Sequence, residues 1–135
     1  MIENYLAAEY RVAGNPGFVM KIGQRSHKAV DWVRTVGPCF FITAYNPLSV
    51  EPDGNENIEN SIRLRQRIGG KVRLGQGVDP TGFWKPEMSY LAPFGSRTLA
   101  DVMQIAVDFG QYAFVVVGDN GTPELHVTPL CPHTV

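Results

Sequence analysis

The sequence predicts an α+β domain with a single mixed β-sheet and three helices. Segments of alternating hydrophobicity, typical of strands, alternate with segments whose apolar residues recur at helical spacing. Turn-forming residues at 14–17 and 119–122 separate the first two and the last two predicted strands. Hairpins at both ends predict antiparallel pairs there, which argues against a purely doubly wound sheet.

The predicted element order is β-β-α-β-α-β-β-α-β-β. The first two strands cover 5–12 and 18–22, and a helix begins at the N-cap Ser26 and ends at Gly37. The remaining strands are a central one that begins at Cys39, then 71–74, 84–92, 112–117 and 124–128. The other helices are 55–68 and one that begins at the N-cap Ser96 and ends before Gly110. The glycine-rich stretch 75–82 is predicted to be an irregular loop, with a lid as the less favoured alternative.

Length and composition predict one domain, 1–135, with a loose tail at 129–135. A net charge of −1 gives no general attraction to nucleic acid or to an anionic membrane, and we expect neither as a partner. Two cysteines are too few for a disulfide framework, and no apolar stretch is long enough to span a membrane. We therefore expect a soluble, cytoplasmic protein.

The central strand turns abruptly polar at its carboxyl end. An apolar run from Cys39 is followed by Thr43, Tyr45 and Asn46, and Pro47 ends the strand because it has no N–H to donate. In open α/β sheets, ligands often bind at the carboxyl ends of strands. We therefore expect a polar site at this strand end.

Polar residues also interrupt the apolar face of the helix at 55–68. Projected at 100° per residue, Ile58, Ile62, Leu64 and Ile68 define an apolar arc. Asn57, Ser61 and Arg65 fall inside that arc. Polar side chains on a face that should be buried indicate either a site or internal bracing.

The candidate ligand-binding residues share amide, hydroxyl, carboxylate, guanidinium or aromatic side chains near strand ends and turns. Such groups can hold a polar ligand through directed hydrogen bonds, ring stacking and one charge contact. They are Gln24, Thr43, Tyr45, Asn46, Asn57, Asn60, Arg65, Trp84, Glu87 and Gln111. The alternative is that the amides brace loops and cap helices.

Five short blocks follow one another along the chain: Ile22-Gly23-Gln24, Phe41 to Pro47, Asn55-Glu56-Asn57 with Asn60, Trp84 to Ser89, and Phe109 to Ala113. In this order they resemble the blocks of the Domain of Unknown Function 3293 family of small, mostly bacterial proteins. The resemblance covers nearly the whole chain and implies block positions but no activity. Tyr112 stands where the family pattern implies asparagine, so the resemblance carries no polar contact to that position.

No catalytic template is complete. Glu87 is the carboxylate that we nominate as a general base, because apolar neighbours raise the pKa of a carboxyl group. The histidines lack metal-ligand spacing, and Cys39 has no evident histidine partner. We expect no metal and no cofactor, and the sequence leaves enzymatic activity open.

Three functions remain open. The first is a non-catalytic bacterial or phage domain that holds, or sequesters, a small polar or nucleotide-like molecule. The second is a hydrolase or transferase acting on a nucleotide-like substrate, with Glu87 activating water. The third is a protein-interaction or scaffold domain in which the blocks brace the fold. A homodimer that shares the site is compatible with each of them.

Overall fold

The computed structural model describes residues 2–132, and in that range one seven-stranded sheet is packed with four α-helices. The helices are α1 (Ile2–Ala7), α2 (His27–Val36), α3 (Glu56–Ile68) and α4 (Leu99–Asp108). The strands are β1 (Glu9–Val12), β2 (Phe18–Met20), β3 (Cys39–Thr43), β4 (Arg73–Val78), β5 (Glu87–Pro93), β6 (Ala113–Val117) and β7 (Pro123–Val127). The strand order is β2-β1-β4-β5-β3-β6-β7, and every pair is antiparallel.

The α+β class, the single sheet and the terminal hairpins β1–β2 and β6–β7 are confirmed. The prediction of a mixed sheet is wrong, because all strand pairs are antiparallel. The prediction of three helices is also wrong, because residues 2–7 form α1 and the first strand begins only at Glu9. Short alternation at 5–8 fits a strand, yet Leu6 and Ala7 also favour a helix, so local pattern alone could not decide.

The first half of the glycine-rich stretch, 75–78, is strand and not loop. β4 runs through Gly75 and Gly77 and pairs with both β1 and β5. A Cβ on Gly75 would stand 2.6 Å from the ring of Phe41 and 2.7 Å from the Arg11 carbonyl oxygen. Glycine is therefore required at position 75 because the aromatic ring and the adjacent strand occupy the space of a side chain.

The sheet separates two hydrophobic cores. On one face, α2 packs Ala29 and Val33 with residues that include Tyr10 and Phe41. On the other face, α3 and α4 cover Phe40 and other apolar residues of the central strands. Successive side chains of an interior strand such as β3 therefore enter the two cores in turn, as expected for a sheet with helices on both faces.

The buried face of α3 differs from the predicted arc. Ser61, Leu64 and Ile68 are buried, whereas Ile58 and Ile62 are more than half exposed. Ser61 is a hydrogen-bond partner of the Tyr90 hydroxyl at 2.9 Å, and that hydroxyl donates to the Ser61 carbonyl oxygen at 3.1 Å. The polar interruption of this helix is therefore an internal bond to β5.

Two further predictions concern the chain ends and α4. The N-cap of α4 is Thr98 and not Ser96, because Thr98 and Asp101 form a capping box. The segment predicted as a tail is described as far as Pro132, and in that part Cys131 is buried; 133–135 lie outside the described residues. None of the helices between residues 2 and 132 is long and apolar enough to cross a membrane.

Candidate functional site

A cavity of about 290 Å³ lies on the α2 face of the sheet, and its lining includes no residue of α2. Four of the predicted site residues line it: Thr43, Asn46, Trp84 and Glu87. The walls come from α1, from β1 and β3 to β7, and from the loops that follow β3 and β4. The other lining residues are Asn4, Tyr5, Ala8, Tyr10, Phe41, Ile42, Ser49, Gly77, Phe83, Ser89, Ala113, Phe114, Val115 and Leu125.

Glu87, the first residue of β5, places a half-buried carboxyl group in this cavity. Burial raises the pKa of Glu87 from 4.5 to about 7, and the hydrogen bond from Asn46 opposes part of that rise. Asn46 Nδ2 donates to Glu87 Oε2 at 2.9 Å. The charged and neutral forms of this carboxyl group are therefore both populated near neutral pH.

Asn57 holds Asn46 from behind the cavity. The Asn46 backbone N–H donates to Asn57 Oδ1 at 2.7 Å, and Asn57 Nδ2 donates to Asn46 Oδ1 at 2.8 Å. Asn57 lies in the first turn of α3 and does not line the cavity. A relay of amides thus connects the start of this helix to the carboxyl group of Glu87.

The turn that carries Asn46 has an unusual backbone. Asn46, Leu48 and Ser49 all have positive φ, at 50°, 55° and 59°. Such conformations persist when surrounding contacts hold them in place. The Leu48 N–H donates to the Gly110 carbonyl at 2.7 Å, and the Tyr112 hydroxyl donates to the Leu48 carbonyl at 3.0 Å. Tyr112 thus makes a polar contact although it departs from the family pattern.

Gln111 and Thr43 brace the same turn. Gln111 is buried, and its Nε2 donates to the carbonyl oxygens of Tyr45 at 3.0 Å and Phe109 at 3.1 Å. Thr43 Oγ1 donates to the Met88 carbonyl at 2.6 Å and accepts from the Tyr45 N–H at 3.1 Å. Gln111 and Tyr45 lie outside the cavity lining.

Aromatic rings form much of the cavity wall. Tyr10 and Phe41 meet edge to face with centroids 5.4 Å apart, and the Tyr10 hydroxyl donates to the Tyr5 carbonyl at 2.6 Å. Burial raises the pKa of Tyr5 to about 12 and raises that of Tyr10 still further, and the charge of Glu87 adds to both effects. Both phenols therefore stay neutral at physiological pH. Trp84, in the loop that follows β4, is partly buried and packs against the same hydrophobic core as Tyr10 and Phe41.

The rim of the cavity is set by the loop that follows β4. Asp79 accepts hydrogen bonds from the hydroxyl and N–H of Thr81 at 2.7 and 2.9 Å and from the Phe83 N–H at 3.0 Å. The bonds from Thr81 and from the backbone lower the pKa of Asp79. Phe83 lines the cavity although it is 92% exposed, so it stands at the mouth.

Three predicted site residues lie away from the cavity. Gln24 is exposed in the turn after β2. Asn60 accepts a hydrogen bond from Arg63 on α3, and Arg65 donates at 2.7 Å to the carbonyl of Gly70, just past the C-cap of its own helix. The predicted charge contact of Arg65 therefore has no place in this cavity.

The lining also contains residues that sequence reasoning did not select. The sequence predicts Tyr5 and Tyr10 in the first strand and Phe41 in the apolar run of the central strand, with no role in a site. Ser89 is buried in the cavity wall, where its hydroxyl donates to the Glu87 carbonyl at 3.0 Å. Unlike the aromatic residues, Ser89 belongs to the polar set that the sequence indicates, in the block Trp84 to Ser89. Among residues 2–132, no group of three His, Cys, Asp or Glu side chains is placed to hold a metal ion.

The fold and the cavity together define a small α+β domain with an aromatic-walled cavity on one face of an antiparallel sheet. Residues 42–114 match the model of the family described as a protein of unknown function (DUF3293), and the chain belongs to that family. Neither the curated proteins nor the solved structures gave a significant match. The matched region contains Asn46, Asn57 and Glu87, whereas Tyr5 and the block Ile22-Gly23-Gln24 precede it.

Proposed function

We propose that this protein is a binding domain for one small, planar, polar molecule of about nucleobase or nucleoside size. The observation that carries the proposal is the carboxyl group of Glu87, oriented by Asn46 inside a cavity walled by aromatic rings. Ligand sites are typically apolar cavities with a few placed polar groups. A volume of about 290 Å³ is at the lower end of the roughly 300–1,000 Å³ range for such sites, which favours a small ligand.

The side chains around the turn that carries Asn46 favour a binding site over a scaffold in which the amides only brace loops. Asn57 and Gln111 are used as braces, and what they hold is the turn that carries Asn46 to Glu87. Backbone strain at Asn46 and Leu48 is of the kind that accumulates at functional sites. Bracing and binding thus serve the same cavity.

The experiment is a thermal-shift screen of nucleobases, nucleosides and other small planar metabolites. A ligand that binds only the native state raises the melting temperature in proportion to its concentration and affinity. Phe83→Ala should weaken the shift while leaving the unliganded protein unchanged, because Phe83 is 92% exposed at the mouth. Ile62→Ala, an exposed position on α3 across the sheet, is the matched control. If no compound gives a shift that depends on Phe83, a scaffold is the better description.

An enzyme is the second candidate, and the pKa of Glu87 favours it. A general base is most effective when its pKa is near the operating pH, and that of Glu87 is about 7. Any stabilising compound should therefore be tested for turnover. Loss of turnover in Glu87→Gln with binding retained would establish the hydrolase or transferase. If no bound compound is converted even at high protein concentration, the non-catalytic binding domain is the better description.

A further inference from the structure

The charge of the cavity lining is one-sided. Glu87 is an acid, and no lysine, arginine or histidine is among the described residues that line the cavity. Arg63, Arg65 and Arg67 lie on α3, on the opposite face of the sheet. A phosphate or carboxylate in the cavity would meet a carboxyl group with no compensating cation, which disfavours an anionic ligand.

Three polar side chains of the lining, those of Thr43, Asn46 and Ser89, use hydrogen-bond donors within the protein. Thr43 and Ser89 donate their hydroxyl protons to the carbonyl oxygens of Met88 and Glu87. Asn46 uses its amide oxygen for Asn57 and its amide nitrogen for Glu87. Asn46 donates to Oε2 of Glu87, and Oε1 is the second acceptor atom of the same carboxyl group. Thr43, Asn46 and Ser89 therefore direct donors into the protein, and the carboxylate of Glu87, which has no donor of its own, supplies acceptor capacity for a ligand.

The aromatic walls complete the pattern. Tyr5, Tyr10, Phe41 and Trp84 line the same cavity as Glu87. The faces of such rings carry negative electrostatic potential and attract cations, most strongly where water is excluded. One carboxylate, spare acceptors and several ring faces suit a ligand that is positively charged, rich in N–H groups and flat.

We propose that the cavity binds a free planar organic cation, an amidinium, a guanidinium or a protonated aromatic amine, with its N–H groups on Glu87 and its face against Trp84. This inference rests on the proposed binding function and adds the charge class of the ligand. Two charge-assisted hydrogen bonds from one planar group to a carboxylate are a strong and directional contact. Desolvation of the cation is offset by the ring faces and by the negative charge of Glu87.

The proposal also predicts how binding depends on pH. The titratable groups that face Glu87 are the phenols of Tyr5 on α1 and Tyr10 on β1, and both remain neutral. Protonation of Glu87, whose pKa is about 7, removes the partner of the cation. Affinity for the cation should therefore fall about tenfold between about pH 8 and about pH 6, and the affinity for an uncharged amide of the same shape should depend less on pH.

Benzamidine, benzamide and benzoate are a matched series of flat probes that carry a positive, zero and negative charge. We expect calorimetric titration at about pH 8 to show binding of benzamidine about tenfold tighter than of benzamide, and no binding of benzoate. Glu87→Gln should reduce the ratio of benzamidine to benzamide affinity to about one. Glu59→Gln, which removes an exposed carboxylate from α3, should leave that ratio unchanged. Unfolding curves of both variants establish that they are folded.

The outcomes separate the two proposals. Equal or tighter binding of benzamide or benzoate, or an unchanged ratio in folded Glu87→Gln, overturns the cation assignment and leaves the binding domain standing. If neither this series nor the metabolite screen yields a ligand, both proposals fail. Tighter binding of N-acetyl-arginine amide than of benzamidine would overturn the assignment to a free planar molecule, because it would indicate an arginine side chain of a protein.

Discussion

Asn46 and Asn57 hold each other by two reciprocal hydrogen bonds, of 2.7 and 2.8 Å, between the turn after β3 and the first turn of α3. This pair fixes a residue with left-handed backbone and directs its amide to Glu87. The polar side chain at position 57, which falls inside the apolar arc predicted for this helix, is thereby explained. Removal of one partner leaves the other partly buried and unsatisfied.

Asn57→Ala should lower the free energy of unfolding by about 1–3 kcal/mol, because the Asn46 N–H and carboxamide lose their partner. The measurement is urea denaturation followed by circular dichroism. Asn60→Ala, three residues further along α3, removes only the bond from Arg63 and should change stability by less than about 0.5 kcal/mol. Equal losses in the two variants would contradict the bracing role of Asn57.

Gly75→Ala should destabilise the protein by about 1–3 kcal/mol, the usual cost of overpacking a core. The added Cβ would stand 2.6 Å from Phe41 and 2.7 Å from the Arg11 carbonyl oxygen, and a backbone oxygen moves only with its strand. Thermal unfolding measures the loss.

Gly77→Ala is the matched control on the same strand and face. A Cβ there meets nothing within 4 Å, so the variant should fold with near wild-type stability. Gly77 lines the cavity, and the extra methyl group should weaken ligand binding. If Gly77→Ala were as unstable as Gly75→Ala, contact with the Phe41 ring could not be the reason for the cost at position 75.

Arg73 should contribute to stability through contacts of its planar guanidinium group. The group donates to the carbonyl oxygens of Ala13 and Pro16 at 2.8 Å and lies 5.1 Å and 4.8 Å from the ring centroids of Phe18 and Trp32. Arg73→Met keeps the alkyl stem and should cost about 1–3 kcal/mol in urea denaturation.

Arg67→Met is the control for this change. Arg67 pairs with Asp108 at 2.9 Å on the surface, and exposed ion pairs contribute about 0–1 kcal/mol. If Arg73 acted only as a surface charge, Arg73→Met and Arg67→Met would lower the free energy of unfolding by the same amount.

Local patterns could predict most of the sheet but not the partners that surround the cavity. The run from Cys39 and the polar turn at Asn46 are encoded in adjacent residues, and both lie where expected. Glu87 was selected because of its neighbours Trp84 and Pro86, and its carboxyl group is indeed half-buried. Such features depend on residues close in the sequence.

Features that depend on long-range pairing could not be predicted. Tyr10 reaches the cavity because β1 pairs with β4, which places Tyr10 beside Gly77, 67 positions along the chain. The local sequence predicts a loop at Gly75, and only the position of the Phe41 ring explains why glycine is required there. A single sequence contains no local pattern for either contact, so α1 and the aromatic wall became visible only in the folded chain.

The free energy of unfolding should decrease as pH rises through the titration range of Glu87. Its pKa is 4.5 ordinarily and about 7 in the folded protein, because burial disfavours the charged form. Between these values the folded protein binds more protons at Glu87 than the unfolded chain does, so the free energy of unfolding decreases as pH rises. The loss is at most roughly 3 kcal/mol, at about 1.4 kcal/mol for each pH unit between the two values.

Glu87→Gln removes this titration while its side-chain oxygen can still accept the hydrogen bond from Asn46. Urea denaturation of the wild type and the variant at about pH 5, 6, 7 and 8 should therefore show a widening difference in favour of the variant, which is complete above the folded pKa. Glu59→Gln, in which an exposed carboxylate is removed, should follow the wild type across the series. Parallel curves for wild type and Glu87→Gln would mean that the carboxyl group of Glu87 is hydrated in the folded state. The attraction between Glu87 and a cation in the cavity would then be no stronger than that of an ion pair on the protein surface, because a hydrated carboxylate interacts weakly with a nearby charge.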